Sequence, residues 1–203
     1  NYWPAEPTNL SEMHMPFLNY ITNMATNHNE WKKYAKDAGQ TRGWTCYTEN
    51  NIFGGVGSFL HSYVIANAWY CAHLWQHYRY TLDKEFLKNA FPTMLSASQF
   101  WMDRLRLDKD GTYVCPNEYS PEHGPTENGV AHAQQLVYEL FDNTLKAIEI
   151  LGEDAVISEA DLTKLNDRFN KLDRGLATET YTGQWGASVN GIKTGTTILR
   201  EWK

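Results

Sequence analysis

Apolar residues recur at helical spacing along most of this chain, and that periodicity leaves room for little except a mostly α fold. Met15, Leu18, Ile21 and Met24 form one such stripe, in a helix opened by Ser11 as N-cap. A short amphipathic helix is expected over 29–38, stopped by Gly39. From 40 to 58 the pattern dissolves, and Gly43, Gly54, Gly55 and Gly57 suggest a loop that can approach a ligand closely. Helical periodicity returns over 59–80. Asp83 caps a further short helix, and Pro92 at a first-turn position starts another through Leu107. A turn over 108–111 leads into a short strand at 112–115. The loop 116–129 carries Glu118, Glu122 and Glu127. Helices follow over 130–151 and 158–172, and 183–202 suggests two short strands about a glycine-rich turn. No exact internal repeat is visible, and periodicity alone supports only a mostly α class.

Charge and composition narrow the function classes. The 203 residues amount to one domain's worth of chain, long enough to bury a core. A net charge of -6 argues against nucleic-acid binding, which needs clustered Lys and Arg to neutralise phosphates. No run of about 18 apolar residues is present, so no membrane association is expected. Cys46, Cys71 and Cys115 stand too far apart for a Cys-x-x-Cys metal or redox motif, and buried free thiols are expected. Aromatic residues reach 14%, a high share; buried rings would account for most of it, and a carbohydrate cleft would explain the surplus.

The segment Asn1-Tyr2-Trp3-Pro4-Ala5-Glu6-Pro7-Thr8-Asn9-Leu10-Ser11-Glu12 mixes aromatic rings with amides and carboxylates. That mixture suits a sugar: rings for its C–H face, fixed donors and acceptors for its hydroxyls. It also suits an aromatic-rich helix entry packed on a neighbour. His73 and His77 stand four apart on one helix face, a spacing that can hold a metal. The run His73-Leu74-Trp75-Gln76-His77 lacks the intervening Glu of a zinc protease, and a hydrogen-bonded or pocket-facing pair is expected instead, with no metal. Trp69 lies one turn before His73, placed either to stack on a sugar or to pack.

The opening segment resembles the signature of glycoside hydrolase family 95, which comprises inverting α-L-fucosidases and some α-L-galactosidases. Further motifs follow in family order: Gly43-Trp44-Thr45, Asn51-Ile52-Phe53-Gly54, the run from Ala68 to Tyr78, Tyr80-Thr81-Leu82-Asp83, Ser120-Pro121-Glu122 and Glu201-Trp202. The resemblance covers nearly the whole chain. It implies part of an (α/α)6 barrel with a few short β-hairpins in its loops. It also implies that residues 1–203 are a fragment of a helical-barrel glycosidase catalytic domain, with the remaining domains on the same polypeptide. The substrate would be an oligosaccharide or glycan, and the location secreted or periplasmic. No cofactor is implied, because acid–base hydrolysis needs only two groups and water.

Hydrolysis requires an acid to protonate the leaving oxygen and, in inverting enzymes, a base roughly 6.5–9.5 Å away across the ring. By composition Glu118, Glu122 and Glu127 are all candidates for the acid, and an exposed loop glutamate is the ordinary reading of each. The resemblance selects Glu122, because Ser-Pro-Glu is the family's acid motif. The base-side asparagine and its aspartate are expected outside this chain. Trp69, His73, Glu49, Asn51 and Trp44 are the expected substrate-binding residues. Some positions depart from the family. Tyr47 and Thr48 stand where it often has histidines, Asn51 where it has an aspartate, and Ala131-His132-Ala133 where it often has Thr-Met-Asp. These departures bear on sugar identity rather than on reaction class. Another helical-barrel glycosidase, or a carbohydrate-binding relic without an acid, are the alternatives.

Overall fold

The computed structural model describes residues 2–55, 63–120, 123–183 and 191–203. Six helices carry it: α1 (Ser11–Asn27), α2 (Glu30–Asp37), α3 (Ala66–Thr81), α4 (Lys84–Arg104), α5 (Ala131–Leu151) and α6 (Glu159–Lys171). Two antiparallel strand pairs sit between α4 and α5, and a third follows α6. They are β1 (Arg106–Leu107) with β2 (Tyr113–Val114), β3 (Glu118–Ser120) with β4 (His123–Glu127), and β5 (Thr178–Thr180) with β6 (Thr197–Leu199).

The connections alternate in length. Residues 28–29 join α1 to α2, 82–83 join α3 to α4, and 152–158 join α5 to α6. Such short links make each pair antiparallel neighbours. Long segments, 38–65 and 105–130, lead from α2 to α3 and from α4 to α5. The N-terminal ends of α3 and α5 therefore share one end of the molecule with the long loops. Helix α4 lies at the centre, packed on α3, α5, α6 and α1, and its Leu87, Phe91, Met94, Phe100 and Trp101 are buried.

Several local expectations are corrected. Ser11 is the first residue of α1 rather than its cap; Leu10 precedes the helix, and the Ser11 hydroxyl donates to Glu6 Oε2 at 2.6 Å. Helix α3 begins at Ala66, and 59–62 lie outside the described residues. Pro92 does not start a helix but sits inside α4. Its ring is exposed, while Ala90, Phe91, Thr93, Met94 and Leu95 on either side are buried. Burial of those neighbours outweighs the one backbone bond that proline removes. Asp83 does cap α4, accepting from the Phe86 N–H at 3.0 Å.

The part of 40–58 that is described, 40–55, is tied to the protein at Gly43 and Trp44 rather than open to a ligand there. Gly43 has φ +80°, and a Cβ there would lie 2.5 Å from the Ser96 carbonyl and 2.6 Å from Phe100 Cβ. Only glycine allows the chain to pass this close to α4. Trp44 follows into the core and stacks on Trp31, with centroids 5.0 Å apart, and its Nε1–H donates to the Thr93 carbonyl at 3.0 Å. Asn67 Nδ2 donates to the Trp44 carbonyl, and Asn67 Oδ1 accepts from Trp101 Nε1. These bonds fix the start of α3 against the loop. Gly57 lies outside the described residues. Beside this segment Arg42 forks onto Asp103 of α4 and Asp161 of α6, at 2.8 Å to each. Cys46, Cys71 and Cys115 are buried free thiols. No helix among the described residues is long and apolar enough to cross a membrane.

Candidate active site

A cleft of about 620 Å³ opens between α3 and α5, bordered by Trp3 from the N-terminal segment. From α3 come Trp69, His73, Gln76 and Arg79; from α5 come His132, Gln135 and Glu139. Trp69 and His132 sit in the first turns of their helices, at the long-loop end. Arg79 and Glu139 lie further down. Residues 69, 73 and 76 fall on one face because successive helical turns superpose positions three and four apart. Trp69 keeps 42% of its surface exposed and Trp3 62%, so two large rings face the open space. Aromatic faces beside amide, imidazole and guanidinium groups make a surface that can hold a sugar.

Behind this wall lies a buried polar cluster. The Glu6 side chain has no accessible surface. Its Oε1 is 2.8 Å from His14 Nδ1 and 2.7 Å from His77 Nδ1, and its Oε2 accepts from Ser11. His14 Nε2 then lies 3.1 Å from His73 Nδ1. Burial alone would raise the Glu6 carboxyl, but the hydrogen bonds from Ser11, His14 and His77 outweigh it and hold it below the usual carboxylate range. His73 moves the other way: burial and the neighbouring His14 push it down to about 4, so it is neutral at pH 7. Glu6, His14 and His77 are also the group among the described residues that offers metal-ligand chemistry. Ligands about 2.1 Å from a tetrahedral zinc lie roughly 3.4 Å apart. Separations of 2.7 and 2.8 Å are those of hydrogen bonds instead.

A second polar group supports the β3–β4 strand pair. Glu118 is fully buried, with Oε1 accepting from Arg104 Nε at 3.3 Å and Nη2 at 3.2 Å. Burial pushes Glu118 up to about 8, with Arg104 pulling against it, and Oε2 has no partner among the described residues. Ser120 Oγ donates to Glu201 Oε1 at 2.6 Å. That oxygen is 3.9 Å from Nδ1 of His132, whose ring lies flat on Tyr63 with centroids 5.7 Å apart. The Glu201 carbonyl accepts from the Ala131 N–H at 2.7 Å, so the strand that leads to Pro121 is tied to the start of α5 beside the cleft.

The residues expected to bind substrate divide. Trp69 and His73 come together on the cleft wall. Trp44 does not: it has no exposed surface and is a core residue. Glu49 is exposed and away from the cleft. Asn51 turns inward on its own loop, its Oδ1 accepting from Phe53 N–H at 2.8 Å and Gly55 N–H at 3.2 Å. Glu122 lies outside the described residues. Sequence reasoning missed His132, Gln135 and Glu139 as cleft residues, and Glu6 and His14 as partners of His73 and His77. Two signals were available. One was the i, i+4 histidine pair. The other was Glu6, a carboxylate between the apolar and aromatic run Tyr2-Trp3-Pro4-Ala5 and Pro7.

The family described as "Glycosyl hydrolase family 95 catalytic domain" matches residues 1–184. "Probable alpha-fucosidase A" of Aspergillus niger is 30% identical over 220 residues, which cover 100% of this chain and 25% of that protein. "Alpha-L-fucosidase 2" of Arabidopsis thaliana is 31% identical over 168 residues, covering 75% of this chain and 20% of that protein. The chain therefore spans about a quarter or less of these curated relatives' length. Among solved structures, "Putative kojibiose phosphorylase from human microbiome" superposes with a TM-score of 0.62 at 16% identity, covering 78% of this chain and 24% of that one. That likeness shows the fold, a mostly α arrangement of the (α/α)6 barrel type. The chain belongs to glycosyl hydrolase family 95.

Proposed function

We propose that this chain supplies one wall of the active site of an inverting exo-glycosidase that releases terminal α-L-fucose, or α-L-galactose, from glycans. Glu122 is the general acid. Trp69 carries the C–H face of the sugar and His73 meets one of its hydroxyls. The observation that carries this reading is the placement of Trp69 and His73 on one cleft wall, with Ser120 bonded to Glu201 and the Glu201 carbonyl bonded to the Ala131 N–H at the start of α5. Ser120 stands two residues before Glu122. Stacking and directed hydrogen bonds hold a sugar ring in one orientation, which removes much of the entropic barrier to hydrolysis.

The acid must remain protonated near neutral pH, which requires burial or neighbouring negative charge. The base-side groups and the remaining domains are expected elsewhere on the same polypeptide. A glycan substrate outside the cell suits a secreted or periplasmic enzyme. The test is turnover of aryl α-L-fucoside and aryl α-L-galactoside by the complete protein, with the anomer first released identified by NMR. Release of the β-anomer from either substrate is the expected result. No turnover of either overturns the specificity, and release of the α-anomer overturns the inverting mechanism.

A further inference from the structure

The hydrogen-bond cluster behind the cleft dictates what His73 offers to a ligand. A carboxylate only accepts, so the imidazole nitrogen facing Glu6 Oε1 must bear the proton: His14 is Nδ1–H. A neutral imidazole has one proton, so His14 Nε2 carries a lone pair. The nitrogen 3.1 Å from it, His73 Nδ1, must then donate. His73 has spent its own proton in that bond, and its Nε2 is left as a lone pair. Three donors, from Ser11, His14 and His77, already satisfy the Glu6 charge, so the cluster does not need a second proton on His14.

We propose that Glu6 and His14 are positioning residues that lock His73 in its Nδ1–H tautomer, making His73 Nε2 a fixed hydrogen-bond acceptor for one sugar hydroxyl in the cleft. The sugar as ligand rests on the function proposed above; the tautomer does not. Packing holds the ring in place as well. His73 meets the rings of His14 and Phe17 edge-on, at 5.1 and 5.2 Å. Nε2 has no protein partner among the described residues, and Trp69 stands one turn away on the same wall. A ring that can only accept selects a ligand with a hydroxyl at that point, and it rejects an analogue with fluorine there, which cannot donate.

The test uses the complete protein with 15N-labelled histidine, free of substrate, at pH 7. His73 is assigned by the resonance lost in His73→Gln. The expected spectrum has a protonated Nδ1 and an unprotonated Nε2, the minority form of free imidazole. His14→Gln keeps an acceptor oxygen and should preserve that tautomer, whereas His14→Phe should release it to Nε2–H. If His14→Phe does not fold, the wild-type and His14→Gln spectra still decide. A wild-type His73 with protonated Nε2 overturns the proposal and leaves the sugar-binding cleft untouched. On aryl α-L-fucoside, His73→Phe should raise KM about tenfold with kcat nearly unchanged. The expected tautomer together with an unchanged KM would overturn the acceptor role and the cleft's sugar reading, while the relay would stand.

Discussion

His14 Nε2 and His73 Nδ1 meet at 3.1 Å, joining α1 to α3 directly behind the wall of the cleft. Neither helix presents this bond to solvent, since His14 has no exposed surface and His73 only 8%. The bond ends a chain that starts at Glu6, nine residues before Met15 opens the first apolar stripe. A segment that looks like a substrate-binding loop in the sequence thus also acts from behind, by ordering the residues that face the cleft. Tyr2 contributes to the same packing, stacked on Phe17 with centroids 4.6 Å apart.

Glu6→Ala in the complete protein should lower stability by about 3 kcal/mol, because the buried His14 and His77 and the partly buried Ser11 lose their acceptor. The urea unfolding midpoint checks this. The pH dependence has a definite sign. The folded carboxyl titrates below the ordinary glutamate value of 4.5, so its contribution is present above that value and lost as pH falls through the folded one. The difference between wild type and variant should therefore be constant near neutrality and shrink in acid. A difference that grows in acid contradicts the assignment.

Glu118 should behave in the opposite sense. Burial raises it to about 8 from the ordinary glutamate value of 4.5, so between those values the folded state holds a proton that the unfolded state has released. Stability from this site is greatest below pH 4.5 and declines as pH rises toward 8. Glu118→Gln keeps the shape and one acceptor for Arg104 and removes the ionisation. The variant should lose this slope, and its midpoint should exceed that of wild type at pH 8. An unchanged slope between pH 5 and 8 would show that Glu118 is ionised throughout.

How much of this was legible in the sequence depends on the range of the interaction. Helices α1, α5 and α6 follow from local periodicity, and Asp83 announces itself as a cap because capping involves residues three apart. Pro92 misled because its penalty is local while the burial that overrides it comes from α3 and α5. Trp44 and Trp69 look alike in sequence, each an aromatic near polar residues. Only the tertiary contacts send one to the core and the other to the cleft. The Glu6–His14–His73 chain spans 8 and then 59 residues, beyond any spacing rule, although the His73 and His77 pair marked one end of it.

Glu122→Gln should reduce kcat by about 10²–10⁴-fold on natural disaccharides and spare substrates whose leaving group departs without a proton. The amide retains the shape of the side chain but has no proton to give. Steady-state rates on a disaccharide and on an activated aryl glycoside separate the two cases. Near wild-type turnover of the disaccharide would move the acid elsewhere.

Paired tryptophan variants separate the cleft from the core. Trp44→Ala removes a ring with no exposed surface that stacks on Trp31 and donates to Thr93. It should cost about 3–5 kcal/mol in folding stability, the range for emptying a large aromatic site, while leaving KM unchanged in the protein that still folds. Trp69 is 42% exposed on the cleft wall and supports little of the core. Trp69→Ala should lower folding stability by less than about 1 kcal/mol, near the range of surface substitutions. It should raise KM on aryl α-L-fucoside about tenfold, because the C–H face of the sugar loses its platform. Thermal unfolding and steady-state kinetics on the two variants give four numbers that must fall in this crossed pattern. If Trp69→Ala destabilises the fold as much as Trp44→Ala and leaves KM alone, Trp69 is a packing residue and the sugar does not lie on this wall.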